Sequence, residues 1–289
     1  MAVVYYVFIG AAGLLARLPF RMLYGFSNGL AFLLHRVVRY RKSVVYTNLH
    51  NAFPEKSARE IRAIARQYYR NLGDIILEVI KLQQMKTAQL MDRFHFENME
   101  LLQNILGQNK SVILTIGHCG NWEWMGNTLG PMTTAKGYAV VKPLSDKRFQ
   151  AYITRLRTRH NPESVIPFKE TFRTLVRRKN DLTVNVFAAD QTPTRDEINY
   201  WTTFLNQDTP FFMGIEKIAR TLDMGVVFME IIRTNRGHYV GKFHPVTESP
   251  KETGKYEITE KYVTLLEEAI RRNPDNWLWS HRRWKHKRD

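Results

Sequence analysis

The chain has 289 residues, of which 44% are hydrophobic and 24% are charged, and its formal net charge is +16. This composition suits one large domain or two small ones with a substantial core. The single cysteine, Cys119, excludes an internal disulfide framework and any cysteine-rich metal site, and it is consistent with a reducing compartment. The basic excess favours a polyanionic partner, which is nucleic acid, an anionic membrane surface, or an acidic protein or phosphorylated substrate.

The N-terminal residues 1–42 are predicted to form a helical membrane-anchoring region, followed by one domain over residues 43–289. Val3–Ala16 is uncharged and apolar, and Met22–Leu34 is a second apolar segment. Each is shorter than the roughly 20 residues that a spanning helix needs, which leaves a short tilted span or two helices embedded in one leaflet. Basic residues follow and predict that the body lies on the cytoplasmic side of an inner membrane: Arg36, Arg39, Arg41 and Lys42.

Two other interpretations of this region stay open. The apolar segments also suit a buried helix pair that packs on the domain. A secretory signal peptide is the weaker alternative, because its first residues would carry neither lysine nor arginine.

Beyond this region, helices and strands are predicted to alternate. The helices are Ala58–Ile80, Glu97–Leu106, Asn121–Gly130, Lys147–Arg159, Phe172–Arg178 and Ile258–Arg272. The strands are Ser111–Ile116, Tyr138–Lys142, Leu182–Ala188, Gly225–Ile232 and Gly237–Phe243. The first helix begins with a capping box, in which Ser57 is the N-cap and Glu60 follows three residues later. This alternation predicts an α/β fold with a mixed, largely parallel sheet flanked by helices.

The candidate catalytic residues lie where the strand Ser111–Ile116 ends. His118 follows this strand, and Glu123 comes five residues later, in the first turn of a helix that Asn121 caps. Open α/β folds bind ligands at this edge of the sheet. A carboxylate on one imidazole nitrogen fixes the tautomer and leaves the other nitrogen to accept a proton. By chance, nine histidines and 27 acidic residues would give roughly 0.8 such spacings, so the strand end carries the argument.

Other chemistry is less compatible with this segment. The sequence contains no recognisable nucleophile elbow, so the proton that His118 accepts is expected to come from a substrate hydroxyl. Cys119 is adjacent to His118 and should point to the opposite face, which argues against a thiol nucleophile. No second histidine or carboxylate has the spacing of a metal site, and no metal is expected.

Five sequence blocks, in order, resemble the bacterial lipid A biosynthesis acyltransferases of the wider lysophospholipid acyltransferase superfamily. The central block, His118-Cys119-Gly120-Asn121-Trp122-Glu123, resembles that family's HX4E motif. The other four blocks are Asn48–Glu55, Arg155–Arg157, Ala189-Asp190-Gln191 and His281–Lys285. The chain departs from the family at Cys119, where an aromatic residue is usual, and over residues 200–206, which puts the acceptor lipid in doubt.

The resemblance implies a glycerol-3-phosphate acyltransferase-like fold and a membrane-bound O-acyltransferase. His118 would deprotonate a hydroxyl of a membrane glycolipid such as a lipid A precursor, and Glu123 would orient His118. The donor would be a thioester of acyl carrier protein or of coenzyme A, with no cofactor. Candidates for oxyanion or substrate binding are Asn121, Arg157 and Asp190. Their alternative roles are, respectively, a helix cap, a solvated basic helix face and a turn aspartate.

The C-terminal residues 277–288 interleave tryptophan with basic side chains. This pattern is typical of a membrane interface, where indoles lie at headgroup depth and cations meet phosphates, and it would also suit nucleic acid or an acidic carrier protein. The leading hypothesis needs no nucleic acid. Its alternatives are an acyltransferase for a lysophospholipid or aminolipid, a membrane-attached nucleic-acid-binding protein, and a catalytically silent membrane scaffold.

Overall fold

A seven-stranded sheet forms the centre of the computed structural model, which describes residues 2–159 and 161–288. Met1 and Asp289, the outer ends of the two predicted regions, lie outside the described residues. The strands of this sheet are β1 (Phe94–Glu97), β2 (Val112–Ile116), β3 (Lys136–Val141), β4 (Val165–Pro167), β5 (Thr183–Ala188), β8 (Gly225–Asn235) and β9 (His238–Thr247). A separate hairpin contains β6 (Ile198–Phe204) and β7 (Gln207–Phe212).

The strand order in the sheet is β1-β9-β8-β2-β5-β3-β4. All neighbouring pairs are parallel except β8 and β9, which form an antiparallel pair. The predicted mixed, largely parallel sheet is therefore confirmed. The central strand β2 is buried at all five positions. Ile113 packs into the core on one face of the sheet, and Val112 and Leu114 pack into the core on the other, as alternating side chains of a strand covered on both sides must do.

Eleven α-helices surround the sheet in the described part of the chain. They are α1 (Ala2–Arg17), α2 (Phe20–Phe32), α3 (Lys42–Ala52), α4 (Ala58–Lys81), α5 (Thr87–Met91), α6 (Met99–Gly107), α7 (Trp122–Leu129), α8 (Lys147–Arg157), α9 (Thr171–Arg177), α10 (Gly214–Leu222) and α11 (Glu257–Arg272). A π-helical turn, Leu33–Val37, continues α2. The predicted capping box is present at the start of α4, where the Ser57 and Glu60 side chains satisfy each other's backbone N–H groups.

The N-terminal helices α1 and α2 have one packed face and one exposed face. Ala12, Ala16 and Leu23 are buried against Leu77 and Ile80 of α4, as the helix-pair interpretation requires. The other face exposes large apolar side chains: Tyr6, Val7, Leu14, Met22, Phe26 and Phe32. Among the described helices, none combines the length and the apolar character needed to cross a membrane. Membrane anchoring by residues 1–42 therefore stays a prediction.

The C-terminal segment differs from the sequence expectation. Trp277 and Trp279 are buried and Arg283 is fully buried, so these three residues belong to the core, whereas Lys285, Lys287 and Arg288 are exposed. The Arg283 guanidinium lies 4.6 Å from the centroid of the Phe211 ring and donates a hydrogen bond to the carbonyl oxygen of Pro210. The expectation was wrong for these residues because a buried arginine looks, in sequence, like one that faces solvent.

Candidate active site

His118 and Asp190 meet where two neighbouring parallel strands end. The register of β2 and β5 places Ile116 opposite Ala188, so the residues two positions further along each strand also come together. The Nδ1 atom of His118 lies 2.6 Å from Oδ1 of Asp190, and the backbone N–H of His118 donates to Oδ2 over 2.8 Å. One carboxylate therefore fixes both the ring and the backbone of the histidine.

Asp190 is almost completely buried, and Trp277 fixes its carboxylate by a hydrogen bond. The Trp277 indole N–H donates to Oδ2 of Asp190 over 2.7 Å. Burial opposes ionisation of this carboxyl, but the charge of His118 and the hydrogen bonds from His118 and Trp277 lower its pKa to about 2. Burial likewise opposes protonation of His118, and the Asp190 carboxylate outweighs it and raises the imidazole pKa.

The second imidazole nitrogen of His118 is the atom available for chemistry. With Nδ1–H donated to Asp190, Nε2 carries a lone pair, and the Gln191 amide nitrogen lies 3.3 Å from it. The edge-to-face contact with Trp122, at 5.1 Å between ring centroids, limits rotation of the imidazole. About a fifth of the histidine side chain, 18%, is exposed, so a substrate can reach it. The arrangement is that of an oriented general base.

Glu123 does not make the contact that the sequence predicts. Arg157 binds it in a two-pronged pair, with Nε donating to Oε2 over 2.9 Å and Nη2 donating to Oε1. The geometry explains the difference, because the strand register delivers Asp190 to the ring while Glu123 sits in the first turn of α7 and faces the end of α8. Glu123 and Arg157 still act on the electrostatics of His118, where Glu123 raises the imidazole pKa and Arg157 lowers it.

The Glu123 contact also changes the interpretation of Arg157, which is not on a freely solvated face. Its side chain is 26% exposed, and Glu123 raises the guanidinium pKa against the effect of burial. Among the described residues, Nε and Nη2 of Arg157 have a hydrogen-bond partner and Nη1 has none, so the Nη1 N–H groups can donate to an anion. The pair therefore supplies a fixed cation at the site.

Asn121 caps helix α7, which was the alternative to a role in oxyanion or substrate binding. Its side-chain oxygen accepts from the backbone N–H of Trp124 over 3.0 Å, and its Nδ2 donates to Oε2 of Glu78 over 2.8 Å. The residue is fully buried, and both polar groups of the amide are used inside the protein. Asn121 therefore positions the loop between β2 and α7.

Sequence reasoning missed Glu78, which connects this loop to the helical region. The Glu78 carboxylate accepts hydrogen bonds from Tyr24 on α2, Asn121, and Tyr239 on β9, at 2.9, 2.8 and 2.7 Å respectively. Burial raises the pKa of this carboxyl, and the hydrogen bonds from Tyr239 and Asn121 oppose that rise. A lone glutamate in the middle of an amphipathic helix gives no sequence signal for such a role.

The C-terminal segment was expected at a membrane interface and instead forms the floor of the site. The backbone N–H of Leu278 donates to the His118 carbonyl oxygen, and the N–H of Gly120 donates to the Asn276 carbonyl oxygen, each over 3.1 Å. Gly120 has φ +54°, and a side chain there would collide with Ile231, so the turn requires glycine. Cys119 is buried in this floor, and burial raises the pKa of its thiol well above the usual value. The raised pKa favours the neutral thiol, which is a second argument against a cysteine nucleophile.

Comparisons with known proteins show the family to which the chain belongs. A model of the family described as bacterial lipid A biosynthesis acyltransferase matches residues 1–286. The chain is similar to the lipid A biosynthesis palmitoleoyltransferase of Escherichia coli (strain K12) and to the lipid A biosynthesis acyltransferase of Shigella flexneri. Each is 22% identical to it over 96% of this chain and 89% of the relative. The resemblance inferred from the five short sequence blocks is confirmed.

Proposed function

Because the chain belongs to the bacterial lipid A biosynthesis acyltransferases, we propose that it moves a fatty acyl group from a thioester carrier to a hydroxyl of a membrane glycolipid such as a lipid A precursor. The carrier is acyl carrier protein or coenzyme A. The observation that supports this chemistry best is the His118–Asp190 pair, which leaves Nε2 of His118 as the proton acceptor at the exposed edge of the sheet.

His118 Nε2 takes the proton of the acceptor hydroxyl, and the oxygen attacks the thioester carbonyl carbon. The carbonyl π electrons move to its oxygen and form a tetrahedral oxyanion. Arg157 and the backbone N–H groups at the start of α7 stabilise this charge, and each such donor contributes about 3 kcal/mol. When the oxyanion collapses, the C–S bond breaks and the imidazolium returns its proton to the thiolate.

The two carboxylates have separate roles in this proposal. Asp190 stays ionised and stabilises the imidazolium that forms on His118. Glu123 acts through Arg157 by holding the guanidinium in place. This assignment keeps Glu123 in the catalytic machinery while Asp190 replaces it as the group that orients the base.

We also place the protein at the inner membrane, with the acyltransferase domain in the cytoplasm. The support is the exposed apolar face of α1 and α2 together with the basic residues that follow it. The nucleic-acid alternative drew on the net charge of +16 and on the aromatic and basic C-terminal residues, and the second support is weakened because Trp277, Trp279 and Arg283 are buried.

Lipid mass spectrometry of a strain that lacks the gene tests this proposal. The deletion strain should accumulate a lipid lighter by one acyl group, whose mass identifies both acceptor and chain. The wild-type protein and a His95→Ala variant, altered at an exposed histidine of β1, should restore the full lipid. A His118→Ala variant should transfer about 10²–10⁴-fold more slowly, because it lacks the general base. Full restoration by His118→Ala would contradict the mechanism.

A further inference from the structure

A large groove lies between α2 and the face of α4 that carries arginines, and its lining includes none of His118, Asp190 and Arg157. Its volume is about 1200 Å³. We call it the arginine groove, and its cationic side chains are Arg36, Arg66, Arg70, Arg233 and Arg236. Asp74 and Asp275 are the acidic residues of its lining, so the lining carries an excess of positive charge.

The arginines of the groove fall into two groups. Arg233 and Arg236 are fixed, because both donate to the buried carboxylate of Asp74, at 2.5 and 2.6 Å. Arg36, Arg66 and Arg70 are exposed, and none of them pairs with a carboxylate among the described residues. The groove thus combines a rigid cationic wall with guanidinium groups that are free to bind an anion.

The arginines on α4 repel one another and so destabilise the helix. Arg59, Arg62, Arg66 and Arg70 recur at three- and four-residue spacing along one exposed face. Like charges at such spacing destabilise a helix. Glu60, the one acidic residue in the first turn of α4, hydrogen-bonds Ser57 in the capping box and does not pair with these arginines. His35 of the π-helical turn is buried and stacks on Tyr69 in the groove wall. Burial lowers its imidazole pKa, and the positive charges of Lys42, Arg36 and Arg66 lower it further. A bound anion would relieve this repulsion.

The remaining lining indicates what kind of anion fits. Phe32, which is 63% exposed, stands at the edge of the groove and continues the exposed apolar face of α2. Asparagine and glutamine amides also line the groove, including Asn235, Asn71 and Gln67, of which the last two hydrogen-bond each other. An amphiphile with phosphate on a polar headgroup satisfies all three features, because guanidinium groups bind phosphate in a two-pronged fashion and the apolar rim accepts the acyl chains.

We propose that the arginine groove binds the phosphorylated headgroup of an anionic membrane lipid. This inference rests on the proposed function only in taking the protein to a membrane surface. A separate headgroup site would hold such a lipid against the protein independently of the acyl-transfer chemistry at His118.

Vesicle co-sedimentation of the full-length protein tests the proposal with a matched pair of variants. Arg66→Gln/Arg70→Gln removes two groove arginines that make no hydrogen bond to any described residue, so the fold should be unaffected. Arg59→Gln/Arg62→Gln removes the same charge from the same helix outside the groove lining. On neutral vesicles doped with phosphatidic acid, the groove variant should bind at least about tenfold more weakly, and the control by less than about threefold. Equal loss in both variants would show diffuse surface attraction and overturn the site.

Two further comparisons identify the ligand. Vesicles doped with a diacylglycerol hemisuccinate present a carboxylate at equal charge, and equal binding to them would overturn the assignment to phosphate. Inorganic phosphate alone should bind weakly, and binding of it as tight as that of the lipid would mean that the ligand is a soluble phosphate. If the groove variant binds vesicles normally and instead loses affinity for an acidic carrier protein, the groove is a protein-docking surface.

These binding measurements can be separated from catalysis. The His118→Ala variant should bind the phosphatidic acid vesicles like the wild type. A protein that binds lipid through the groove but transfers no acyl group would contradict the proposed function alone. A protein that transfers acyl groups normally with the groove arginines replaced, and binds the vesicles normally, would contradict the groove alone.

Discussion

The His118 site and the α1–α2 pair are built from opposite kinds of contact. Around His118, almost every polar group has a fixed partner: Asp190 holds the ring, Trp277 holds Asp190, and Arg157 holds Glu123. On α1 and α2, only the inner face is packed, and the outer face presents apolar side chains to its surroundings. Hydrogen bonds with fixed geometry suit a transition state, whereas an exposed apolar face suits contact with a fluid phase. The proposed reaction and the proposed membrane contact therefore depend on different parts of the chain.

The largest effect in this comparison is expected from Asp190→Asn, which keeps the shape of the side chain and removes its charge. The amide can no longer stabilise the imidazolium or favour the tautomer with Nδ1–H, so kcat should fall by about 10³–10⁴-fold. Asp190 raises the pKa of His118, and the neutral amide therefore lowers it. Since the base must be unprotonated, the acid limb of the kcat/KM profile should move to lower pH in the residual activity.

Asp208→Asn provides the control for this change, because Asp208 is an exposed aspartate in the β6–β7 hairpin. It should leave both kcat and the pH profile unchanged. Wild-type kcat in Asp190→Asn, measured by steady-state acyl transfer, would return the orienting role to Glu123.

An intermediate effect is expected from the Glu123–Arg157 pair. Arg157→Lys keeps the charge but loses the two-pronged geometry, and Glu123→Gln leaves the guanidinium without its anchor. Each should lower kcat by about 10²–10³-fold, the scale of losing one oxyanion donor. If Glu123 acts through Arg157, the double variant should be no worse than the poorer single variant in a double-mutant cycle. Additive losses would show that Glu123 acts on the substrate or on His118 directly.

Parts of the fold that carry strong local sequence patterns were predicted well. The strands β2 and β5 and the helix α4 were predicted because continuous apolar runs and a capping box are local signals. The short strands β1 and β4 and the β6–β7 hairpin were not. Strands of three or four residues carry too little pattern, and β6 is largely half-buried without a clear alternation.

The sequence predicted individual residues of the candidate site but not the contacts between them. The histidine could be placed from its strand end, and Asp190 was noticed at another strand end for the same reason. Their hydrogen bond depends on β2 and β5 being neighbours, although β3 and β4 lie between them in the chain. Sequence spacing instead favoured Glu123, which is close in the chain. The buried C-terminal segment was missed because burial of Arg283 depends on tertiary partners.

The smallest effect is expected on the other side of the comparison, from Met22→Ser/Phe26→Ser on the exposed face of α2. These side chains are 54% and 55% exposed, so the fold should be retained, and each loses on the order of 1 kcal/mol of apolar burial in lipid. Binding to uncharged vesicles should therefore weaken by about tenfold or more, whereas acyl transfer to a detergent-dispersed acceptor should change little.

Phe172→Ser/Val176→Ser on α9 removes comparable exposed apolar surface, at 50% and 39%, and should leave vesicle binding intact. Equal losses in both variants would mean that any exposed apolar patch binds lipid. Unchanged binding in the α2 variant would mean that α1 and α2 do not anchor the protein. Because uncharged vesicles carry no net negative charge to attract the arginines, this measurement isolates the apolar face.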